Sequence, residues 1–584
     1  MMYGWKNKIA SINLTEKAIS YIQPDIELLK KYIGGKGLAG YYLSKKITLP
    51  FDSPDMPLIF MTGPLVDTPT PVSGRMTVMS RSPQTGTVGD TSVGGKLAFQ
   101  IKRSGLDGII ITGASKKLCG IEINDSEIKF TDASKMLGKK ISEISKMIPS
   151  GGSFAATGPA AENGVLFANI AIDSHFLSGR NGLGLVMSAK KLKYIHVKGS
   201  GKTEIFNSDE VMKAKEEIFR LAAASPILKG ELGISEFGTG ALYDLMHSRR
   251  MMPTDNFRKT HFDKAPALNA FAYKEKYDTK KSGCSGCHIM CKKKGVNGEV
   301  IPEFETMSHF TALLNNNDIG TVIQANDICN EYGMDTITAA STLACYSEIE
   351  GVELTPEKIL SLLEDVALSR GIGEELKHGS YRYAFLKGKE SSSISVKGLE
   401  LPAYDPRGAY GMAVAYATST RGGCHLRAYP ISHEILRKPV ATDRFTFSGK
   451  ARIIKLAEDI NAVIDSLTAC KFIFFAATLE EYAKAYSGVT GIKSSAQDLL
   501  KAGERIYYND RIMNAANGFT EKDDDLPERF FSESGTGGDD IAIPPLNRED
   551  FISAKKSYYK IRGLDDNGMP VKEKCEELGL EWIF

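Results

Sequence analysis

The sequence predicts an α+β fold, a β-rich N-terminal domain followed by two largely helical domains, and three observations carry that expectation. Up to about residue 206, short apolar runs are bounded by Gly, Ser and Pro, the texture of strands and turns. Beyond it, apolar residues recur at steps of three and four, the helical period. A Ser-, Gly- and Pro-rich stretch, "LKGKESSSISVKGLELPAYDPRG", then interrupts the helices near residue 400. The expected domains are 1–206, 207–400 and 401–584, and a chain of 584 residues has room for several cores.

In the first domain, "GRMTVMSRSP" (74–83), "DGIIITGAS" (107–115) and "KLKYIHVKG" (191–199) read as strands. The change of texture falls at "NSDEVMKAKEEIF", where Ser208 and Asp209 are candidate N-caps. In the second, "DTITAASTLACYSEIEG" places Ile337, Ala340, Leu343 and Ala344 on one helical face. In the third, Ile453, Leu456, Ile460, Val463, Ile464 and Leu467 mark a long amphipathic helix. The run "EKDDD" (521–525) reads as a solvated loop; "KKK" (292–294) reads first as solvated lysines on a loop and second as a patch that could steer an acidic partner.

A net charge of +2 gives no electrostatic case for nucleic acid or an anionic membrane surface. No stretch approaches the ~18 apolar residues of a membrane span. The start "MMYGWKNKIASINL" lacks a signal-peptide run, so a cytoplasmic protein is expected.

Nine cysteines, an odd number, do not form a disulfide framework, and one group is tight: Cys284, Cys287 and Cys291 in "CSGCHIMC". Thiolates select zinc, Cu(I) or iron–sulfur clusters. There is no second C-x2-C knuckle for a zinc ribbon, and a C-x2-C-x3-C run with a distant fourth cysteine suits three corners of a 4Fe–4S cube. The competing reading is a Cys3His zinc site using His288, which is strained because His288 directly follows Cys287. A fourth thiolate would come from Cys119, Cys329, Cys345, Cys424, Cys470 or Cys575. Cys470 stands out at the end of the long amphipathic helix, but spacing does not decide among them.

Four glycine-rich segments, "GGKGLAG" (34–40), "GPLVDTPTPVSGR" (63–75), "SPQTGTVGDTSVGGK" (82–96) and "SGRNGLG" (178–184), could bring backbone N–H groups close to anions. None is a P-loop or a dinucleotide fingerprint. Singly each reads as a turn. Together, two of them carrying an arginine, they favour a large anionic cofactor.

Taken in order, "IGGKGLAGYYL", "TGPLVDTPTPVSGRMTVMSRSPQTG", "SGRNGLGLVMSAKKLKYIHVKG", "CSGCHIMC", "PEFETM", "NEYGMDTIT", "YATSTRGGCHLRAYP" and "VIDSLTACKF" resemble the aldehyde:ferredoxin oxidoreductases nearly end to end. These are tungsten enzymes with a bis-pterin cofactor and one 4Fe–4S cluster. The resemblance implies that the N-terminal domain cradles the pterins and that each helical domain supplies one pterin motif. It makes Cys470, closing a D-x4-C motif that begins at Asp465, the fourth cluster ligand beside Cys284, Cys287 and Cys291. It places Asn330, Met334 and Asp335 on one pterin, with Asn330 standing where the family has Asp, and Asp465 and Lys471 on the other. Arg75 falls between cluster and pterin. Ser92 replaces an asparagine whose contact is through its backbone, and Gly94, Arg180, Asn181 and Leu183 complete the wall. A Mg2+ between the pterin phosphates is implied, since adjacent phosphates repel without a hard cation.

The same resemblance sets Glu305 and His425 beside the metal as the proton-handling pair, with Glu305 ranked before its neighbour Glu303. It implies oxidation of a small aldehyde to the acid, with electrons leaving to ferredoxin or an iron–sulfur partner subunit. Molybdenum fits the same dithiolene site. The alternative reading keeps the cofactor as the catalytic subunit of a benzoyl-CoA-type reductase complex. A non-enzymatic electron-transfer subunit would require vestigial pterin motifs. A homodimer is compatible with the family, but its iron-bridging E-x-x-H pair is not found where Gln324 to Asp327 stand.

Overall fold

The computed structural model describes residues 2–582. Two six-stranded mixed sheets form the N-terminal region. The first runs, in spatial order, Ala18–Ile22, Ile9–Asn13, Gly108–Thr112, Leu58–Met61, Met76–Arg81 and Val88–Val93. The second runs Phe176–Leu177, Ile170–Ile172, Ser153–Thr157, Leu192–Lys198, Cys119–Asn124 and Glu127–Asp132. Alternation along the first sheet explains its near-continuous apolar runs. Leu58, Phe60, Val78, Ile109 and Ile111 pack into a core shared with Ile121, Ile123 and Ile195 of the second sheet. Their neighbours Ile59, Met61, Met79 and Ile110 point the other way, into the core of the helical region. A strand buried on both faces needs no polar side.

Three helices meet behind that second face: Gly35–Ser44, Lys450–Leu467 and Ala496–Ala516. "GGKGLAG" is the start of the first. A side chain at Gly35 would collide with the Asp465 carbonyl, and one at Gly63 would come within 2.6 Å of Leu467 O. The N–H groups of Gly35 and Gly37 bind Thr62 O and Ser466 Oγ. These glycines therefore serve close helix packing.

Several sequence expectations change. The helix Ser208–Ala224 is capped by Asn207, whose side chain accepts from the N–H groups of Asp209 and Glu210, so Ser208 and Asp209 lie inside it. Helix Lys450–Leu467 exists as predicted, but Leu456 is exposed while Glu458 and Asp459 are buried. Val463, Ile464 and Leu467 of the expected apolar face are buried, and Glu458 and Asp459 join the buried side because Arg562 reaches both carboxylates at 2.5 Å, and Tyr507 and Tyr558 donate to Glu458 at 2.7 and 2.8 Å. Lys292–Lys294 is the middle strand of a three-stranded sheet, with Lys293 5% exposed and Lys292 paired to Glu303 at 2.7 Å. In "EKDDD", Asp524 is buried between Arg511 and Lys397, each at 2.7 Å. Both runs read as solvated because their partners lie outside the runs themselves: Glu303 and the flanking strands for the lysines, Arg511 and Lys397 for Asp524.

Removing Arg562 leaves two buried carboxylates without their cation. Arg562→Met should destabilise the protein by roughly 3–5 kcal/mol, read as an earlier denaturation midpoint in urea, whereas Lys572→Met at an exposed pair should leave it within about 0.5 kcal/mol.

Candidate active site and cysteine centre

The cysteine loop joins strand Lys280–Ser282 to strand Lys292–Lys294, and Cys470 follows helix Lys450–Leu467 across the molecule. The two are brought together through Arg75. Its N–H donates to Thr468 O at 3.1 Å, while Cys470 N–H donates to Val72 O at 2.9 Å, tying the segment 72–75 to the end of that helix. The guanidinium then lies 3.9 Å from Cys470 Sγ and donates to Ser92 Oγ and Ser92 O at 2.9 and 2.5 Å. Burial by itself would lower its pKa, but Cys470, Cys284, Asp465 and Cys291 around it raise it instead. A methyl group at Gly94 would overlap Cys284 Sγ, so only glycine admits that thiol. Burial raises the Cys287, Cys291 and Cys470 thiols, as it does for any thiol without a metal. His288 turns away: its ring packs edge-on against Phe219 at 4.5 Å, which removes it from a Cys3His arrangement.

Behind Arg75 lies a lattice of buried charge. Asp90 meets Lys36 at 3.2 Å and Arg427 at 2.8 Å; Lys36 also meets Asp510 at 2.7 Å. Asp465 holds Lys471 at 2.6 Å and faces Arg427 at 3.8 Å. Arg421 donates to Asp90 O at 2.5 Å. Arg180 reaches Asp335 at 3.3 Å and the carbonyls of Gly423 and Glu400 at 2.6 Å each. Asp335 is the N-cap of helix Thr336–Glu350, and Asn181, at φ 73°, donates to Arg421 O at 3.2 Å. Burial lowers Lys471 to about 8 despite Asp465. Buried Cys424, by contrast, is brought down to about 7: burial alone would raise it, but Arg421, Arg427 and the Leu426 N–H outweigh that.

Six cations (Lys36, Arg75, Arg180, Arg421, Arg427 and Lys471) thus converge with four carboxylates (Asp90, Asp335, Asp465 and Asp510). Asp90 Oδ1, Asp465 Oδ1, Asn181 Oδ1, Ser419 Oγ, Arg427 Nε and both amide atoms of Asn169 have no hydrogen-bond partner among the described residues. Buried polar atoms are nearly always satisfied, so a cluster of exceptions with a surplus of positive charge fits a large polyanionic, hydrogen-bonding cofactor. Leu183 opens helix Leu183–Ala189, but its side chain belongs to the two-sheet core, leaving its backbone for any such contact. Met334 is fully buried, with its N–H on Cys329 O at 2.8 Å. Asn330, on the last turn of helix Ile319–Tyr332, makes no side-chain hydrogen bond among the described residues.

Glu305 and His425 meet on the other side of the lattice, with Nε2 and Oε1 3.4 Å apart. Glu305 lies in the first turn of helix Phe304–Phe310 and accepts from Ala403 N–H at 2.8 Å through Oε2; among the described residues Oε1 has no hydrogen-bond partner. Burial raises its pKa to about 8, against the pull of that N–H and of Arg180. His425 is held well below its ordinary value by burial and by the Arg180 and Arg421 charges, so its ring is neutral. The surroundings are aromatic: Tyr404 lies 5.6 Å from the His425 ring and Phe304 5.4 Å from Tyr404, and Tyr429 donates to Tyr404 Oη at 3.0 Å. His309 backs Glu305 from the same helix, its Nδ1 2.8 Å from Glu305 O. Sequence reasoning missed Tyr404, Tyr429, His309, Lys36, Asp90, Arg421 and Arg427. "GGCHLR" and "LPAYDP" carry some of them, but no spacing rule singles them out.

Two family models match the chain: aldehyde ferredoxin oxidoreductase, N-terminal domain, over residues 9–199, and aldehyde ferredoxin oxidoreductase, domains 2 and 3, over residues 213–580. The fold and site define an oxidoreductase, and the chain belongs to the aldehyde ferredoxin oxidoreductase family. It is 35% identical to the tungsten-containing aldehyde ferredoxin oxidoreductase of Thermococcus kodakarensis, over 99% of both chains. It is also 35% identical to that of Pyrococcus furiosus, over 100% of both. The aliphatic sulfonate oxidoreductase WOR-like subunit of P. furiosus is 26% identical, over 99% of this chain and 97% of its own. The active-site complex BamBC of benzoyl coenzyme A reductase shares the fold, with a TM-score of 0.86 at 22% identity over 99% of this chain and 98% of that one. Among the described residues no helix is long and apolar enough to cross a membrane.

Glu305 is a carboxyl whose folded-state pKa is raised. Its contribution to stability is therefore complete below the ordinary value of 4.5 and is lost as pH rises through about 8. In cofactor-free protein, Glu305→Gln should flatten the fall of stability between those limits, measured by urea denaturation across the pH range.

Proposed function

We propose that the chain is a tungsten-dependent oxidoreductase that converts an aldehyde and water to a carboxylic acid, R-CHO + H2O → R-COOH + 2 e− + 2 H+. The observation that carries the reading is the Glu305–His425 contact, set in an aromatic chamber against a cationic lattice whose buried polar atoms lack partners. The residues fit a bis-pterin. Arg180, Asn181, Asp335 and Met334 would face one pterin with Asn330, and Asp465 and Lys471 the other, while Ser92, Gly94 and Leu183 offer backbone. A Mg2+ between the phosphates would relieve their repulsion. Cys284, Cys287, Cys291 and Cys470 would hold one 4Fe–4S cluster, with Arg75 between it and the pterin. When bound, these groups would supply a two-electron acceptor and a one-electron outlet, with ferredoxin or a related iron–sulfur protein as the acceptor beyond.

The chain's own residues handle the protons. A base must be unprotonated to accept; with its pKa raised to about 8, Glu305 is ionised in a minority of molecules at neutral pH, and that fraction, growing as pH rises toward 8, takes a proton from water at Oε1 and passes it outward. Neutral His425 would orient the substrate oxygen through Nε2, 3.4 Å from that carboxyl. Tyr404, Tyr429 and Phe304 keep bulk water from the pair and give the aldehyde's apolar part a surface. Arg180 and Asp335 fix the wall on which the cofactor would rest.

Anaerobically purified protein should oxidise aldehydes with a viologen acceptor. Glu305→Gln should lower kcat/KM by ~10²–10⁴-fold with metal content unchanged. Metal-replete protein that oxidises no aldehyde, or a Glu305→Gln protein as active as its parent, would contradict the reading.

A further inference from the structure

Glu400 is a carboxyl outside the Glu305–His425 chamber, fully buried on strand Leu399–Glu400. Among the described residues it makes no ion pair, so hydrogen bonds alone hold it out of water. Oε2 accepts from Gln84 Nε2 at 2.8 Å and lies 2.9 Å from Thr338 Oγ1. Oε1 accepts from Ser380 N–H at 3.0 Å and lies 2.9 Å from Ser380 Oγ. Gly379, at φ 83°, makes the turn that presents Ser380, and a methyl group there would come within 3.2 Å of Oε1. Gln84 is itself 1% exposed, and its Oε1 has no hydrogen-bond partner among the described residues.

Hydrogen counting gives Glu400 a proton. Thr338 Oγ1 lies between two carboxyl oxygens, Asp335 Oδ2 at 2.7 Å and Glu400 Oε2 at 2.9 Å, and a hydroxyl has one hydrogen. One of the carboxyls must therefore supply the second. Asp335 is surrounded by donors: Ile337 N–H at 3.1 Å, and Thr338 N–H and Arg180 Nε at 3.3 Å each. Glu400 is the one that burial raises, against the pull of Arg180, Ser380 and Thr338. The hydrogen bonds continue outward into the serine-rich stretch that interrupts the helices. Ser380 Oγ lies 3.0 Å from Ser393 Oγ, and Ser393 Oγ 2.9 Å from Ser395 Oγ; in each pair either oxygen can donate. Ser380 and Ser393 are buried, while Ser395 is partly exposed. The inner end lies beside the chamber: Leu401 O, next in the chain to Glu400, is 3.2 Å from His309 Nε2, and Ala403 N–H holds Glu305.

We propose that the file Asp335, Thr338, Glu400, Ser380, Ser393 and Ser395 is a relay by which protons released in the oxidation leave the site for solvent. It rests on the proposed oxidation for the source of those protons. Every link from Asp335, which meets Arg180 at the cofactor wall, to Ser395 is 2.7–3.0 Å long. Asp335 Oδ1 has the Ile337 N–H as its hydrogen-bond partner, which leaves a lone pair for an incoming proton. A proton bound there is matched by one passing from Oδ2 to Thr338 Oγ1, whose own hydrogen moves to Glu400 Oε2. Glu400 gives its hydrogen from Oε1 to Ser380, and Ser380, Ser393 and Ser395 each hand one on. One proton enters, one leaves, and no group keeps an added charge. Rotation of the hydroxyls restores the starting pattern. These residues touch no reacting atom; they serve the groups that do.

Infrared spectroscopy of the holoprotein transferred into D2O tests the relay. The C=O stretch of the protonated Glu400 carboxyl is identified at neutral pH as the band missing in Glu400→Gln; where that variant does not fold, Glu400→Asp shifts the band instead. Its change on deuteration should be about tenfold slower, or more, in Ser393→Ala than in the parent, and Ser393→Thr should restore the parent rate. Viologen-linked kcat should fall and recover in the same order, with KM and metal content unchanged. No protonated-carboxyl band from Glu400, exchange in Ser393→Ala as fast as in the parent, or a kcat that Ser393→Ala leaves untouched would overturn the proposal. Protein that oxidises no aldehyde would contradict the reaction, and the exchange rates would still decide the relay.

Discussion

A charge taken out of water must be met by another charge or by strong hydrogen bonds, and the heart of this protein is built on that constraint. Lys36, Asp90, Asp510, Arg427, Asp465 and Lys471 are all buried or nearly so, and each is held by a partner hundreds of residues away or across a helix terminus. Lys36 comes from a glycine-rich helix that can lie directly on the backbone of Asp465 only because it lacks side chains there. The lattice therefore fixes how the N-terminal sheets sit against the helical region. It also leaves atoms over. Those unsatisfied atoms, with the positive surplus, are what the proposed cofactor would need from its cradle.

The two ends of that cradle are tuned in opposite senses. At the cysteine end, Arg75 sits among thiols and its positive charge is favoured. At the other end, Glu305 and His425 sit among tyrosines, where burial disfavours charge on both: the carboxyl rises to about 8 and the imidazole falls. One environment sets a fixed positive charge among the thiols and the other keeps a proton within reach at neutral pH. Under the proposed function, electrons and protons would leave by separate ends of the site, which suits an oxidation that releases two of each.

Legibility in the sequence follows how local each signal is. The C-x2-C-x3-C run was readable because all three thiols share one loop, and the strands at 76–81 and 108–112 were readable from their apolar runs. The long helix was found by its period, yet part of its buried face was missed, because Glu458 and Asp459 are buried by Arg562 more than 100 residues away. Asp524 was misread because Arg511 and Lys397, which bury it, lie outside its acidic run, and Lys293 because it sits on the middle strand of a small sheet that its lysine run does not announce. Spacing could not choose Cys470 among the single cysteines; only the resemblance in its surroundings did. Tyr404 and Tyr429 had no signal, since an aromatic residue in a loop reads the same whether it lines a chamber or fills a core.

The account's central claim is that the cysteine quartet and the cationic lattice hold one metal–pterin centre and one iron–sulfur cluster in each chain. The most direct measurement is metal stoichiometry of anaerobically purified protein by mass spectrometry, paired with EPR of the dithionite-reduced sample. The account predicts about one tungsten (or molybdenum) and about four irons per chain, with the signal of a reduced 4Fe–4S cluster. Zinc in place of iron, or iron with neither tungsten nor molybdenum in protein that retains its pterin, would contradict it.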